Sequence, residues 1–277
     1  LLQFYGANRT GRWAGRLVQV QNLPRTYIEP LPFARTLVKD RKADALRFVY
    51  GSVPDTLSQL IRTAFVAAEG NVLIDADFSA IEARVISWLA GEEWRLDVFR
   101  THVKIYEASA SQMFGVPIEL IKKGNPEYAL RQKGKVAELA LGYQGGTSAL
   151  ITMGALNMGI PESDLPDIVH RWRDANRRIR DLWYAVDNAA VQAVTNGGAV
   201  GVRNIIVSKE YSAALNTDSL TIALPSGRKL YYISPQIYEN QWGSPSIAYM
   251  GMDQKTKKWK RLETYGGKLV ENCVQAI

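Results

Sequence analysis

Two stretches of this 277-residue chain carry side chains whose types and spacing could do chemistry. The first is Asn71–Gly91, NVLIDADFSAIEARVISWLAG. It predicts a short apolar strand, Val72–Ile74, ending in the carboxylates of Asp75 and Asp77. A turn through Phe78-Ser79 then leads into a helix from about Ala80 to Leu89, closed by Gly91. Ser79 suits the N-cap, and Glu82 three residues later gives a capping-box spacing. A strand that delivers an acid at its tip can present a hard oxygen ligand to a divalent cation at the rim of a cleft. Periodicity alone leaves equally open an ordinary strand–turn–helix with solvated acids.

The second stretch is Asn125–Gly146, NPEYALRQKGKVAELALGYQGG. Asn125 as N-cap, Pro126 at the first helical position and Glu127 in the first turn are strong start signals. The helix is expected to run to about Gly142, with Gly145-Gly146 ending it. Arg131, Lys135, Leu139 and Tyr143 are spaced by four, and each such step drifts only about 40° around a helix, so they form one slanted stripe. A basic stripe on a hinged helix can close over a polyphosphate and exclude water. Taken alone, the helix reads as well as an amphipathic surface helix with two solvated cations.

The two stretches together resemble family A DNA polymerases, the DNA polymerase I type. DFSAIEAR resembles motif A, usually Asp-Tyr-Ser-Gln-Ile-Glu-Leu-Arg: Asp77, Ser79, Ile81, Glu82 and Arg84 match, while Phe78 and Ala80 vary. The helical stretch resembles motif B, Arg-x-x-x-Lys-x-x-x-Phe-x-x-x-Tyr-Gly. Arg131, Lys135 and Tyr143 match, Leu139 stands where Phe or Tyr is usual, and Gln144 replaces the glycine. Thr10-Gly11-Arg12 with Gln21-Asn22-Leu23-Pro24 resembles the segment at the palm entrance, and Ile61, Arg62 and Phe65 match the segment before motif A. Ser111–Pro117 resembles the segment before the fingers, although Lys104-Ile105-Tyr106 stands where the family often has Asp-Ile-His. Leu224–Arg228 is similar to a Gly-Arg hairpin. Gln275 matches the glutamine of an Asn-x-x-x-Gln helix, with Glu271 in place of the asparagine. The wording is most similar to phage and prophage members, and the resemblance spans nearly the whole chain.

The resemblance implies an α+β fold, a palm with an antiparallel sheet plus mostly helical fingers. It implies palm with motif A over residues 1–92, fingers with the motif B helix over 93–195, and a β-hairpin region with a palm helix over 196–277. The implied reaction is template-directed transfer of a nucleotidyl group from a deoxynucleoside triphosphate to a primer 3′-hydroxyl. Two Mg²⁺ ions would be held by Asp77, bridging both, and by the Phe78 carbonyl; Asp75 has no required role. Arg131 and Lys135 fall on the triphosphate, Lys135 as a catalytic group, and Leu139 forms a wall over sugar and base. Tyr143 abuts the templating position, and Glu82 packs beneath the sugar and blocks a 2′-hydroxyl. Arg12, Gln21, Asn22 and Gln275 fall on primer–template DNA. The family also needs a His-Asp-Glu carboxylate, and the sequence stops at Ile277 before one, so it reads as an incomplete polymerase chain, inactive alone. It is expected to act as a monomer in the cytoplasm, that of a bacterial host if phage-encoded. Two other readings are a metal-dependent nuclease using Asp75, Asp77 and Glu82, which leaves the Arg131–Tyr143 stripe unexplained, and a nucleic-acid-binding module without catalysis.

The elements that must position these residues follow from composition and pattern. With 47% hydrophobic residues the chain can bury a core, and its net charge of +7 suits a polyanionic partner. A single cysteine, Cys273, excludes an intramolecular disulfide and is expected in the core; His102 and His170 are too few for a histidine metal site. No apolar run is long enough to span a bilayer, and no signal peptide is expected. Residues 1–26 read as turns and short strands, 28–50 have no legible role, and Thr56–Phe65 has helical spacing. Residues 92–114 read as helical, and 150–193 as two helices separated by Gly159-Ile160-Pro161. In the second of these, Trp172, Trp183 and Tyr184 are expected in the core, with Arg173, Arg177, Arg178 and Arg180 on a solvated or DNA-facing side. From 197 to 259 short alternating runs predict β-hairpins. Residues 254–261 read as a basic solvated turn and 268–277 as a helix.

Overall fold

Contacts divide the chain into two units, Leu1–Phe78 and Ser79–Ile277. The computed structural model describes every residue except Leu1, Asn8, Val18, Val20, Gln21, Asp75, Asp77, Gln254 and Lys255. Three residues singled out by sequence, Gln21, Asp75 and Asp77, therefore lie outside the described residues.

In the first unit a two-stranded antiparallel ladder pairs β1 (Leu2–Gln3) with β2 (Ala14–Gly15). Three short helices follow: α1 (Leu31–Lys39), α2 (Ala43–Tyr50) and α3 (Val53–Leu60), the last running into a 3₁₀ turn at Ile61–Ala64. The Ser52 hydroxyl caps α3 by accepting from Asp55 N–H at 3.3 Å, with a proline in the first turn. The buried apolar side chains here are Ala34, Leu37 and Leu46. The expected strand at Val72–Ile74 is not formed. The three side chains are 79%, 68% and 89% exposed, and no described strand pairs with them. A strand exists only through its ladder partner, so an apolar run without one stays irregular.

The second unit begins with α4 (Ile81–Ala90), stopped by Gly91 in the left-handed conformation at φ 70°. The capping box is absent. Ala80 occupies the N-cap at φ 52°, Ser79 instead offers its carbonyl to Arg84 Nε at 2.9 Å, and Glu82 turns elsewhere. The expected continuous helix after Gly91 is broken into α5 (Glu93–Thr101) and α6 (Ile105–Phe114). Val103 at φ 61° makes the break, and the His102 ring accepts from Lys104 N–H across it.

A 3₁₀ turn at Pro126–Ala129 feeds α7 (Leu130–Leu141), and the short α8 (Thr147–Thr152) follows. The aromatic-rich helix expected near Trp172 is two helices, α9 (Leu165–Ala175) and α10 (Arg177–Asn196). Asn176 breaks them: fully buried, it bonds the Trp172 carbonyl through its own side chain, the competition by which Asn interrupts helices. Trp172 and Trp183 are in the core as expected, stacked at 6.0 Å with 7° between their planes; Tyr184 is exposed.

The β region is a six-stranded antiparallel meander in chain order. Its strands are β3 (Ala199–Val202), β4 (Ile205–Ser212), β5 (Thr217–Ala223), β6 (Lys229–Glu239), β7 (Pro245–Met252) and β8 (Trp259–Thr264). Val207, Leu220, Ile222, Leu230, Tyr232, Ile247 and Tyr249 belong to the same core as the buried face of α10. The basic turn expected over 254–261 is shorter than that, because Trp259–Arg261 pair with Met250–Met252 as the start of β8. The final helix is α11 (Gly266–Ala276), and Cys273 on it is buried, which pushes its thiol pKa up to about 12. The fold class is α+β, as expected. Among the described residues no helix is long and apolar enough to cross a membrane.

Candidate active site

The stripe expected on α7 exists because the other face of the helix is consumed by packing. Val136, Ala137 and Leu141 are buried, and Gly134 sits where α6 crosses: a Cβ there would meet the Tyr106 carbonyl at 2.3 Å. Glycine in a helix interior costs about 1 kcal/mol relative to alanine, so close approach of the two backbones is its use here. Arg131 and Lys135 are left half-buried and Leu139 is 48% exposed. Tyr143 lies two residues past the end of α7, in the turn that follows.

Arg131 is held by residues that the sequence did not assign to it. Its Nε donates to Glu107 Oε1 at 2.7 Å, and its guanidinium carbon lies 5.5 Å from the Tyr106 ring centre and 5.9 Å from that of Tyr128. The Glu107 carboxylate raises the Arg131 pKa, against the effect of burial. Tyr106, at the place where the resembling family often has histidine, thus forms part of a cradle for this cation. Five N–H donors in a fork leave Arg131 able to keep Glu107 and still meet an anion. Among the described residues no carboxylate pairs with Lys135, whereas Lys133 is paired with Asp164 at 2.6 Å.

Glu82 and Tyr143 are brought together. The Tyr143 hydroxyl donates to Glu82 Oε2 at 2.9 Å, across 61 residues of sequence, joining α4 to the turn after α7. Behind them lies a buried ion pair. Arg95, 1% exposed, donates to both carboxylate oxygens of Glu138 at 2.8 and 2.5 Å, to Ser87 Oγ at 2.8 Å and to Asn176 Oδ1 at 2.9 Å. The Trp172 indole adds a further bond to Glu138 at 2.9 Å. Glu138 is the neighbour of Leu139, so the network ties α4, α5, α7 and the α9–α10 junction into one frame behind the stripe. Isolated charges in a run of helical sequence offer no signal for such a pair.

The other expected residues make contacts of their own. Gln275 on α11 donates to Glu271 Oε1 at 3.2 Å, and Lys268 pairs with the same carboxylate at 2.8 Å. Glu271 thus takes as an acceptor the place that the family gives to asparagine. In the first unit, Asn22 bonds Gln19 at 2.7 Å, and the loop behind it is held by Arg62, which donates to the Leu23 carbonyl at 2.6 Å and to that of Pro24 at 3.3 Å. Arg12 turns the chain between β1 and β2, accepting from Ala7 N–H at 3.0 Å. The Phe78 ring is 78% exposed at the end of this unit. As a donor set, a carboxylate with an adjacent main-chain carbonyl suits Mg²⁺, which takes oxygen ligands. Asp77 lies outside the described residues, and among the described residues no three His, Cys, Asp or Glu side chains group as a metal site.

The sequence model of DNA polymerase family A matches residues 7–210. The chain is 57% identical over its whole length to a DNA polymerase of Bacillus phage SP02, of which it covers 41%. It is 34% identical over 118 residues, 37% of the chain, to the thermostable DNA polymerase I of Thermus aquaticus, covering 14% of that protein. It is 30% identical over 177 residues, 58% of the chain, to the thermostable DNA polymerase I of Thermus thermophilus, covering 20% of it. The chain therefore spans less than half the length of each of these relatives.

Proposed function

The chain belongs to DNA polymerase family A, and on that premise we propose that it carries out template-directed DNA synthesis. The primer 3′-oxygen attacks the α-phosphorus of a deoxynucleoside triphosphate, the bond to the β-phosphate breaks, and pyrophosphate leaves. The observation that supports the reading is the 2.9 Å bond between Tyr143 and Glu82, which joins the motif A helix to the turn that follows the motif B helix.

Arg131, oriented by Glu107, takes phosphate oxygens through its remaining donors. Lys135, one turn along, neutralises charge that builds on the leaving pyrophosphate. Leu139 lies against the sugar and base, and Tyr143 against the templating position. Glu82, its carboxylate fixed by the Tyr143 hydroxyl, fills the space that a 2′-hydroxyl would need. We assign primer–template contacts to Arg12, Gln21, Asn22 and Gln275. Family membership implies a divalent cation in general; two Mg²⁺ ions, assigned to Asp77 and the Phe78 carbonyl, would supply Lewis-acid charge to the phosphates when bound. Residues 1–92 serve as the first part of the palm, 93–195 as fingers and 196–277 as a β-hairpin region with a palm helix, in a protein that works as one copy in the cytoplasm.

The test is single-nucleotide extension of a primer–template by the full-length protein. The complementary deoxynucleotide alone should be added, with stoichiometric release of pyrophosphate. DNA hydrolysis without any triphosphate would replace this reading with a nuclease, and tight DNA binding with no extension would replace it with a binding module.

Leu139 gives a specificity prediction. Leucine has no hydroxyl to stand in for the missing 3′-hydroxyl of a dideoxynucleotide, and a lost polar partner costs about 1–3 kcal/mol, roughly tenfold or more. Leu139→Tyr is expected to lower the ratio of deoxy to dideoxy incorporation efficiency by about that factor. An unchanged ratio would mean that residue 139 does not face the sugar.

A further inference from the structure

The turn after α7 contains a residue that the reaction above does not use. Gln144 sits at φ 66°, in the left-handed region that an L-residue adopts only when its surroundings hold it there. Its side-chain Oε1 accepts a hydrogen bond of 2.9 Å from Gly267 N–H, 123 residues away in α11. First-turn amides of a helix have no acceptor within the helix, and the N-cap residue Tyr265 supplies no side-chain bond. The turn after α7 supplies one acceptor instead, where Gln144 takes the Gly267 N–H.

The approach leaves no room for side chains. A Cβ on Gly267 would lie 2.5 Å from both Gln144 Cβ and the Tyr143 carbonyl, and one on Gly266 would lie 2.0 Å from the Trp183 carbonyl. The turn is also held from behind: the Trp183 indole donates to the Gly142 carbonyl at 3.0 Å, and Arg173 to that of Gly145 at 3.1 Å. Tyr143 is thus fixed through its backbone neighbours on one side and through its hydroxyl to Glu82 on the other.

We propose that Gln144 is a positioning residue that latches the end of the nucleotide-side helix to α11. The latch keeps Tyr143, and the pocket it forms with Glu82, in one geometry relative to the helix that bears Gln275. The inference rests on the polymerase reading of that pocket. Loss of the latch should loosen the binding of the incoming nucleotide and leave the chemical step nearly unchanged.

Gln144→Met keeps the length of the side chain and removes the acceptor. Gln144→Glu keeps an acceptor, and a carboxylate at a helix N-terminus is favourable. In the full-length protein, amide hydrogen exchange at Gly267 should quicken by about fivefold or more in the Met variant, the worth of one hydrogen bond. Exchange from Leu269 onward should not change, and Gln144→Glu should restore protection. In single-nucleotide extension, the Met variant should raise KM for the complementary deoxynucleotide about fivefold with kcat nearly constant, and the Glu variant should return KM toward the parent value. Unchanged exchange at Gly267 overturns the latch itself. Faster exchange with an unmoved KM overturns the positioning role and leaves the contact. If the parent protein extends no primer, the polymerase reading fails and the positioning role with it, while the exchange result still judges the contact.

Discussion

Glu138→Leu is expected to destabilise the 277-residue chain by about 3–5 kcal/mol, because it leaves a buried guanidinium without its counter-charge. Arg95 is 1% exposed and gives two of its hydrogen bonds to Glu138, and the Trp172 indole loses its acceptor in the same substitution. For a unit of this size such a loss lowers the midpoint of thermal unfolding by on the order of 10 °C. Arg95→Met combined with Glu138→Leu should recover much of the loss, since an apolar pair of similar volume carries no desolvated charge. Thermal unfolding of parent, single and double variants decides it. A single variant within about 1 kcal/mol of the parent, or a double variant as unstable as the single, would show that the ion pair is not what holds these helices together. The pair also bears on function, because Glu138 adjoins Leu139 and its partner Arg95 bonds Ser87 on α4, the helix that carries Glu82.

Asp77→Asn in the full-length protein is expected to reduce primer extension by on the order of a thousandfold or more, with primer–template binding retained or slightly tightened. An amide has the shape of the carboxylate without its charge, and a divalent cation held by oxygen ligands depends on that charge. Removing a negative group also lessens repulsion of phosphates, so affinity for DNA should not fall. Extension rates and DNA affinity measured on the same preparation separate the two effects. Extension within about tenfold of the parent would remove Asp77 from the reaction and with it the reading of Asp77–Arg84 as motif A.

Much of the arrangement is legible in local pattern. Gly91 and Pro126 mark an end and a beginning because φ preference and the missing N–H act within a few residues. The stripe from Arg131 to Leu139 follows from helical periodicity alone, and the β-hairpin region from alternation and turn residues. Trp172 and Trp183 are core because a helical stripe of large apolar rings has to be buried against something. Even so, local reading misplaced two helix breaks. The buried Asn176 is held by Arg95 from outside its own segment, and Val103 takes the left-handed region against the preference of a β-branched residue; propensity carries no signal for either.

Sequence by itself determined the periodicities, and so the helical stretches apart from the breaks at Val103 and Asn176, the β-hairpin character of residues 197–259, and the faces on which Arg131, Lys135 and Leu139 lie. The tertiary structure alone decided which distant groups meet. Glu82 has the spacing of a cap yet gives its carboxylate to Tyr143, because α4 is brought against the turn after α7. Glu107 and Tyr106 become the seat of Arg131 because Gly134 lets α6 and α7 touch. Val72–Ile74 have the composition of a strand and form none, for a strand's hydrogen bonds belong to its partner and cannot be supplied from within the segment. Backbone geometry is settled over a few residues, whereas a contact between residues 61 or 123 apart depends on how whole elements pack.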